Sequence, residues 1–231
     1  KLIATHWRPN DLKAFDCDAP DSEKLVRTTP TERACALSHV MSWKGVIKSL
    51  QVPDATPSSK MLRYPHHILR LFKISGFAEG QSLLPKNHNL PPAPVCVILE
   101  DDAILIDGFA NKLAELLKEL PRDFHFCSLG YGRPKSAPIV PYSETLGIPS
   151  MIWYLTGYIL SEAGANYLLN SLPVVGPVDS WVGLRMTIRN WDNEFGVKLG
   201  VGMHARPHID LLPAKKKHLA KLLEFRAFCA L

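Results

Sequence analysis

The sequence predicts an α/β fold, a sheet whose strands alternate with helices, and three observations predict it. A continuous β-rich apolar run, Val95–Leu99, ends in three acids and reads as a buried, parallel strand. Thr29, Asp107 and Ser161 each stand as a capping residue before a segment of helical periodicity. Phe124–Leu129, Ile152–Leu160 and Val197–Met203 read as further strands, so strand and helix alternate as they do in sheets wound with crossovers.

The elements follow in order. Lys1–Thr5 is a short strand-like start, then polar turn residues intervene. Thr29-Pro30-Thr31-Glu32 supplies a capping Thr, a Pro at the first helical position and a Glu three residues after the cap. The helix it opens runs to about Leu50, with Leu37, Val40, Met41 and Trp43 to Ile47 as its apolar stripe. Seven prolines interrupt 51–94, which therefore reads as a surface insertion in a single domain spanning 1–231, with one short helix over Tyr64–Phe72. His66, His67 and His88 of that insertion are expected as exposed loop residues, because no partner stands at metal-ligand spacing.

After the acids, Asp107 is expected to cap a helix carrying Phe109, Leu113, Leu116, Leu117 and Leu120 on one side, stopped by Pro121. Residues 130–150 read as a Gly/Pro/Ser-rich loop. Ser161 caps a helix to about Leu172, Asp179–Trp191 forms another, and Pro213–Phe228 reads as a basic amphipathic helix.

Composition narrows the function. No stretch approaches the ~20 apolar residues of a membrane-spanning helix. Lys1 carries neither a starting Met nor a leader pattern, so a trimmed domain is expected, any membrane association residing in a segment outside this chain. The net charge of +5 is modest and its basic residues are scattered apart from Lys215-Lys216-Lys217, which argues against a nucleic-acid partner. A mildly basic surface suits an anionic sugar diphosphate as well as it suits solubility. Five cysteines show no CxxC pair, which excludes zinc-finger spacing. Cys35, Cys96 and Cys127 lie in apolar stretches as buried thiols, and Cys17 or Cys229 leaves room for one disulfide.

Glu100-Asp101-Asp102 is the most informative cluster. It directly follows a buried strand, and in open α/β sheets ligands bind beyond the carboxyl ends of strands. Adjacent carboxylates repel one another, a cost that a divalent cation removes, and hard oxygen donors suit manganese or magnesium. Alternation along an extended chain would set Glu100 and Asp102 around a metal–diphosphate and leave Asp101 for ribose or sugar hydroxyls. The competing reading is an exposed acidic turn before a helix.

TPTERACALSHVMSWKGVI (29–47), VCVILEDDAIL (95–105), LTGYILSEAGANYLLNSL (155–172) and PVDSW (177–181) occur in an order that resembles glycosyltransferase family 25, which includes lipooligosaccharide and collagen galactosyltransferases. The likeness covers roughly residues 20–185 without the insertion. Against the family pattern, the opening strand is expected to be shortened or missing before Lys1, the 51–94 insertion stands where a brief connection is usual, and the likeness fades beyond Trp181.

The resemblance implies a GT-A type, Rossmann-like mixed sheet flanked by helices. It also implies a UDP-galactose or UDP-glucose donor, a manganese-dependent site and transfer with inversion to a glycan or glycoprotein hydroxyl. The setting would be the Golgi or ER lumen in a eukaryote and the cytoplasmic side of the membrane in a bacterium. Asp102 matches the acid that binds metal in the family, Glu100 and Asp101 match the acids before it, Ser38 and His39 match its Ser-His pair, and Asp179 matches the acid of its later Pro-Val-Asp segment.

Each residue also has a plainer reading. Asp179 is a candidate base or a helix cap. His39 contacts the donor, holds the acidic loop, or is a core histidine. Ser38 bonds within its helix. Thr156-Gly157 lets the backbone approach a sugar or relieves crowding in the sheet. Trp153, Tyr154 and Trp181 stack on sugar rings or pack the core. His204, after the last strand, is a candidate further metal ligand. A catalytically inactive relative acting as a binding or adhesion module is the rival to the transferase, and a phosphoryl-transfer or hydrolytic enzyme lacks the second acidic cluster or phosphate loop it would need.

Overall fold

The computed structural model describes residues 2–7, 25–51, 69–74, 94–133, 139–149, 151–186 and 225–231. The expected strand Val197–Met203, His66, His67, His88, His204, Cys17 and most of the expected tail helix lie outside them.

Near the amino end, β1 (His6–Trp7) and β2 (Val26–Arg27) pair antiparallel. The chain then enters α1 (Pro30–Gln51) through the expected capping box. The Thr29 N–H donates to Glu32 Oε2 at 2.7 Å, and the Glu32 N–H donates to Thr29 Oγ1 at 3.2 Å. The buried face of α1 runs through Ala36, Val40, Trp43 and Val46. Leu37, expected on that stripe, is exposed, because one residue turns the helix about 100° away from it.

A seven-stranded mixed sheet follows, flanked by helices. Its strands are β3 (Leu69–Ile74), β4 (Val95–Glu100), β5 (Phe126–Gly132), β6 (Ile139–Pro141), β7 (Leu146–Pro149), β8 (Trp153–Ser161) and β9 (Ala227–Ala230), in the order β3-β4-β8-β5-β9-β7-β6. The helices are α2 (Phe109–Glu119), α3 (Glu162–Asn170) and α4 (Val178–Met186).

Several expectations are corrected. β4 is antiparallel to both neighbours, with Leu69↔Glu100 on β3 and Leu99↔Gly157 on β8. Its apolar run reports burial on both faces, which carries no information about strand direction. Cys96 and Ile98 join the core with α1, α3 and α4, while Val95, Val97 and Leu99 join the core with α2. Over its described part, residues 69–72, the expected helix Tyr64–Phe72 gives way to β3, so part of the expected insertion belongs to the sheet. The expected loop 130–150 contains a hairpin, β6 with β7, whose Pro141 and Pro149 stand at strand ends where a missing N–H is tolerated. The carboxyl end is strand β9 beside β5, not helix, over Ala227–Ala230. The cap of α2 is Gly108 at φ 72°, not Asp107. Cys229 is a free, buried thiol, Cys96 and Cys127 are buried, and Cys35 is half-buried.

Both β4 and β5 pair antiparallel with β8, so they run in the same direction with β8 inverted between them. That inversion brings the carboxyl end of β4 beside the amino end of β8. After β8, Ser161 caps α3: its Oγ accepts the Gly164 N–H at 3.0 Å and donates to the Phe124 carbonyl at 2.8 Å. This bond docks α3 so closely that a Cβ on Gly164 would land on the His125 backbone carbonyl. Gly164→Ala should therefore destabilise the protein by roughly 1–3 kcal/mol in urea unfolding, since backbone cannot yield as a side chain does. An unchanged midpoint would refute this close docking.

Candidate functional site

The rim where β4 ends and β8 begins opens into a cleft of about 290 Å³. Four elements build its walls. Thr31, Cys35 and His39 come from α1, where four-residue spacing puts them on one face. Glu100 ends β4, and Tyr154, Leu155 and Thr156 open β8. Pro177, Val178 and Asp179 begin α4.

Five residues singled out in the sequence therefore meet in one cleft: His39, Glu100, Tyr154, Thr156 and Asp179. The others do not line it. Asp101 and Asp102 are exposed in a turn, closed by the Ala103 N–H donating to the Glu100 carbonyl at 3.2 Å. That turn ends the strand alternation at Glu100, so Glu100 and Asp102 are not paired by an extended chain as expected. Ser38 is buried and donates to the Ala34 carbonyl at 3.0 Å, the within-helix role. Gly157 is buried opposite Leu99, whose Cδ2 would stand 2.9 Å from an added Cβ, so its glycine relieves crowding inside the sheet. Trp181 is core, stacked on Trp43 at 5.8 Å and covered by the Arg185 guanidinium at 3.3 Å. Trp153 is half-buried and outside the lining.

His39 is almost fully buried. Its Nδ1 lies 2.9 Å from Tyr158 Oη, and its Nε2 lies 3.8 Å from Glu100 Oε1. Tyr158 also receives the indole N–H of Trp43 at 3.0 Å. Burial drives the Tyr158 phenol far above its ordinary pKa, a rise that the Trp43 hydrogen bond opposes and the Glu100 charge augments. The hydroxyl thus stays neutral.

Asp179 lies in the first turn of α4, where a carboxylate favours the helix N-terminus. Its Oδ1 accepts the Ser180 N–H at 2.7 Å and its Oδ2 accepts the Tyr154 N–H at 3.3 Å. It is therefore a helix-end acceptor that also lines the cleft. The Tyr154 bond fastens a strained residue: Tyr154 has φ 65°, the left-handed region that few non-glycine residues adopt. The strain falls where the register between β5 and β8 shifts, and it leaves the Tyr154 ring exposed at the cleft with its edge against Gly132.

Cys35 in the lining and Tyr158 behind it carried no prior assignment to a site. Cys35 precedes His39 by four positions, a spacing the sequence displays once the helix is known. Tyr158, behind the lining, was signalled only by a phenol inside an apolar strand, which needs a partner when buried.

Among the described residues no group of three or more His, Cys, Asp or Glu side chains is arranged to hold a metal ion. Glu100 and Asp102 supply two hard donors beside one turn, and His204 lies outside the described residues. The chain matches no family model, no curated protein and no solved structure.

Cys35 reports on the cleft's charge. Burial raises its thiol pKa first, and Glu100 and Asp179 raise it further. Neutralising either acid lowers that pKa and enlarges the thiolate fraction. Glu100→Gln or Asp179→Asn should thus speed alkylation of Cys35 at mildly alkaline pH by roughly two- to threefold, since the thiolate is the nucleophile. Mass spectrometry of the Cys35 peptide gives the rate, and a slower or equal rate in both variants would contradict this arrangement.

Proposed function

We propose that this chain is a glycosyltransferase domain of GT-A type. It moves galactose or glucose from a UDP-sugar to a hydroxyl of a glycan or glycoprotein, with inversion. One observation carries the reading: Glu100 and Asp179, from separate elements, line one cleft at the carboxyl end of β4, with Asp102 on the turn just beyond. The order of the four sequence segments supports it as well.

Manganese or magnesium suits the donor chemistry, because such ions take one or two carboxylates and complete their shell with water and substrate phosphate. Glu100 and Asp102 would hold it, with His204 the further candidate, and the ion would supply charge neutralisation to the departing diphosphate. Asp101 is assigned to ribose or sugar hydroxyls.

The remaining chemistry belongs to Asp179. Its carboxylate offers about four lone-pair sites, of which the Ser180 and Tyr154 N–H groups use two. Those two bonds orient it, and the free sites accept the proton of the attacking hydroxyl as the new glycosidic bond forms. The exposed Tyr154 ring offers the acceptor an apolar face.

A second reading, a binding module without transfer, is favoured by the position of Asp101 and Asp102 outside the cleft lining. A donor screen with and without manganese separates the two. Asp102→Ala should abolish transfer, and unchanged turnover would remove Asp102 from the mechanism. Asp179→Asn should lower kcat by about 10²–10⁴-fold while donor affinity persists, the loss expected of a general base. Calorimetry showing that the wild type binds neither manganese nor UDP would favour the binding module.

A further inference from the structure

The proton arrangement behind Glu100 follows from the hydrogen bonds around Tyr158. The Trp43 indole nitrogen can only donate, and it donates to Tyr158 Oη at 3.0 Å. His39 Nδ1 stands 2.9 Å from the same oxygen. Were Nδ1 protonated, Oη would receive two donors, and its own proton would lie in the core with no acceptor among these partners. Leaving a buried donor unmatched is costly. The consistent assignment is that the Tyr158 O–H donates to Nδ1, which places the proton of neutral His39 on Nε2.

That Nε2 is buried, has no hydrogen-bond partner among the described residues, and stands 3.8 Å from Glu100 Oε1 on the cleft wall. The separation is too long for a direct hydrogen bond. It suits a single oxygen set between them that accepts from the N–H and donates to the carboxylate. A hydroxyl does both. A phosphate oxygen only accepts and would face Glu100 with like charge.

We propose that His39 and Glu100 form a hydroxyl-reading pair that recognises one ring hydroxyl of the sugar, with the polarity of His39 set by Tyr158 and Trp43. The proposal rests on the glycosyl-transfer reading for the identity of its ligand. A carboxylate has two oxygens, so engaging Oε1 leaves the other for a cation.

Two measurements test it. Long-range ¹⁵N–¹H NMR of the wild-type protein at about pH 8, above the ordinary imidazole range, should show His39 as the Nε2–H tautomer. The Nδ1–H tautomer would overturn the proposal without any reference to activity. Calorimetry with UDP-galactose, UDP-glucose and their monodeoxy analogues should then find one deoxygenation that weakens wild-type binding by about tenfold or more. In His39→Phe that penalty should shrink towards unity, and the milder Tyr158→Phe, which frees the tautomer, should reduce it in the same direction. If UDP-sugars bind but no single deoxygenation matters, or if the penalty survives both variants, the pair is refuted while the transferase reading stands. If no UDP-sugar binds the wild type, both fail together.

Discussion

A single phenol oxygen, that of Tyr158, ties the sheet to its longest described helix. Tyr158 is fully buried in β8, and its hydroxyl meets Trp43 and His39, both on α1. A buried hydroxyl without partners would cost about 1–3 kcal/mol, so the docking of α1 on β8 is specified by direction as well as by apolar area. Around this bond the rings close in. Tyr158 stacks on Phe126 at 4.9 Å and on His39 at 5.8 Å, and Trp43 stacks on Trp181. The same contact positions the cleft, because His39 and Cys35 share the helix face that Tyr158 anchors.

The inverted β8 does the rest. Placed between co-directional β4 and β5, it sets Thr156 beside the end of β4 and starts close to α4. The cleft is therefore assembled from chain segments that are distant in sequence but meet at one sheet rim. Asp179 closes the arrangement by accepting the N–H of Tyr154, whose left-handed backbone would otherwise lack that restraint.

What the sequence disclosed depended on whether the signal was local. The Thr29–Glu32 box, the Ser161 cap and the Val95–Leu99 strand are local features, and all three formed. Strand direction was illegible, since an apolar run looks the same when helices cover an antiparallel sheet on both faces. β3, β6, β7 and β9 were misread because short strands draw on pairing partners far along the chain, and prolines at strand ends imitate loops. The site was half legible. Glu100, His39, Thr156 and Asp179 converge, but Asp101 and Asp102 do not, because the chain turns where strand alternation was assumed to continue.

The plain and functional readings of the cleft residues need not compete. Asp179 can accept the N–H groups of Ser180 and Tyr154 and still present unused lone pairs, and those bonds are what hold it still. His39 is a core residue by burial, stacked against Tyr158, yet one of its nitrogens faces Glu100 with its bonding capacity unspent. A purely structural histidine gains nothing from a polar atom left in that state, since an apolar side chain of similar shape would fill the space without the desolvation cost. Ser38, by contrast, satisfies itself on its own helix and does not line the cleft. The difference between these two neighbours separates a side chain that completes the fold from one that the fold has left available for something else to bind.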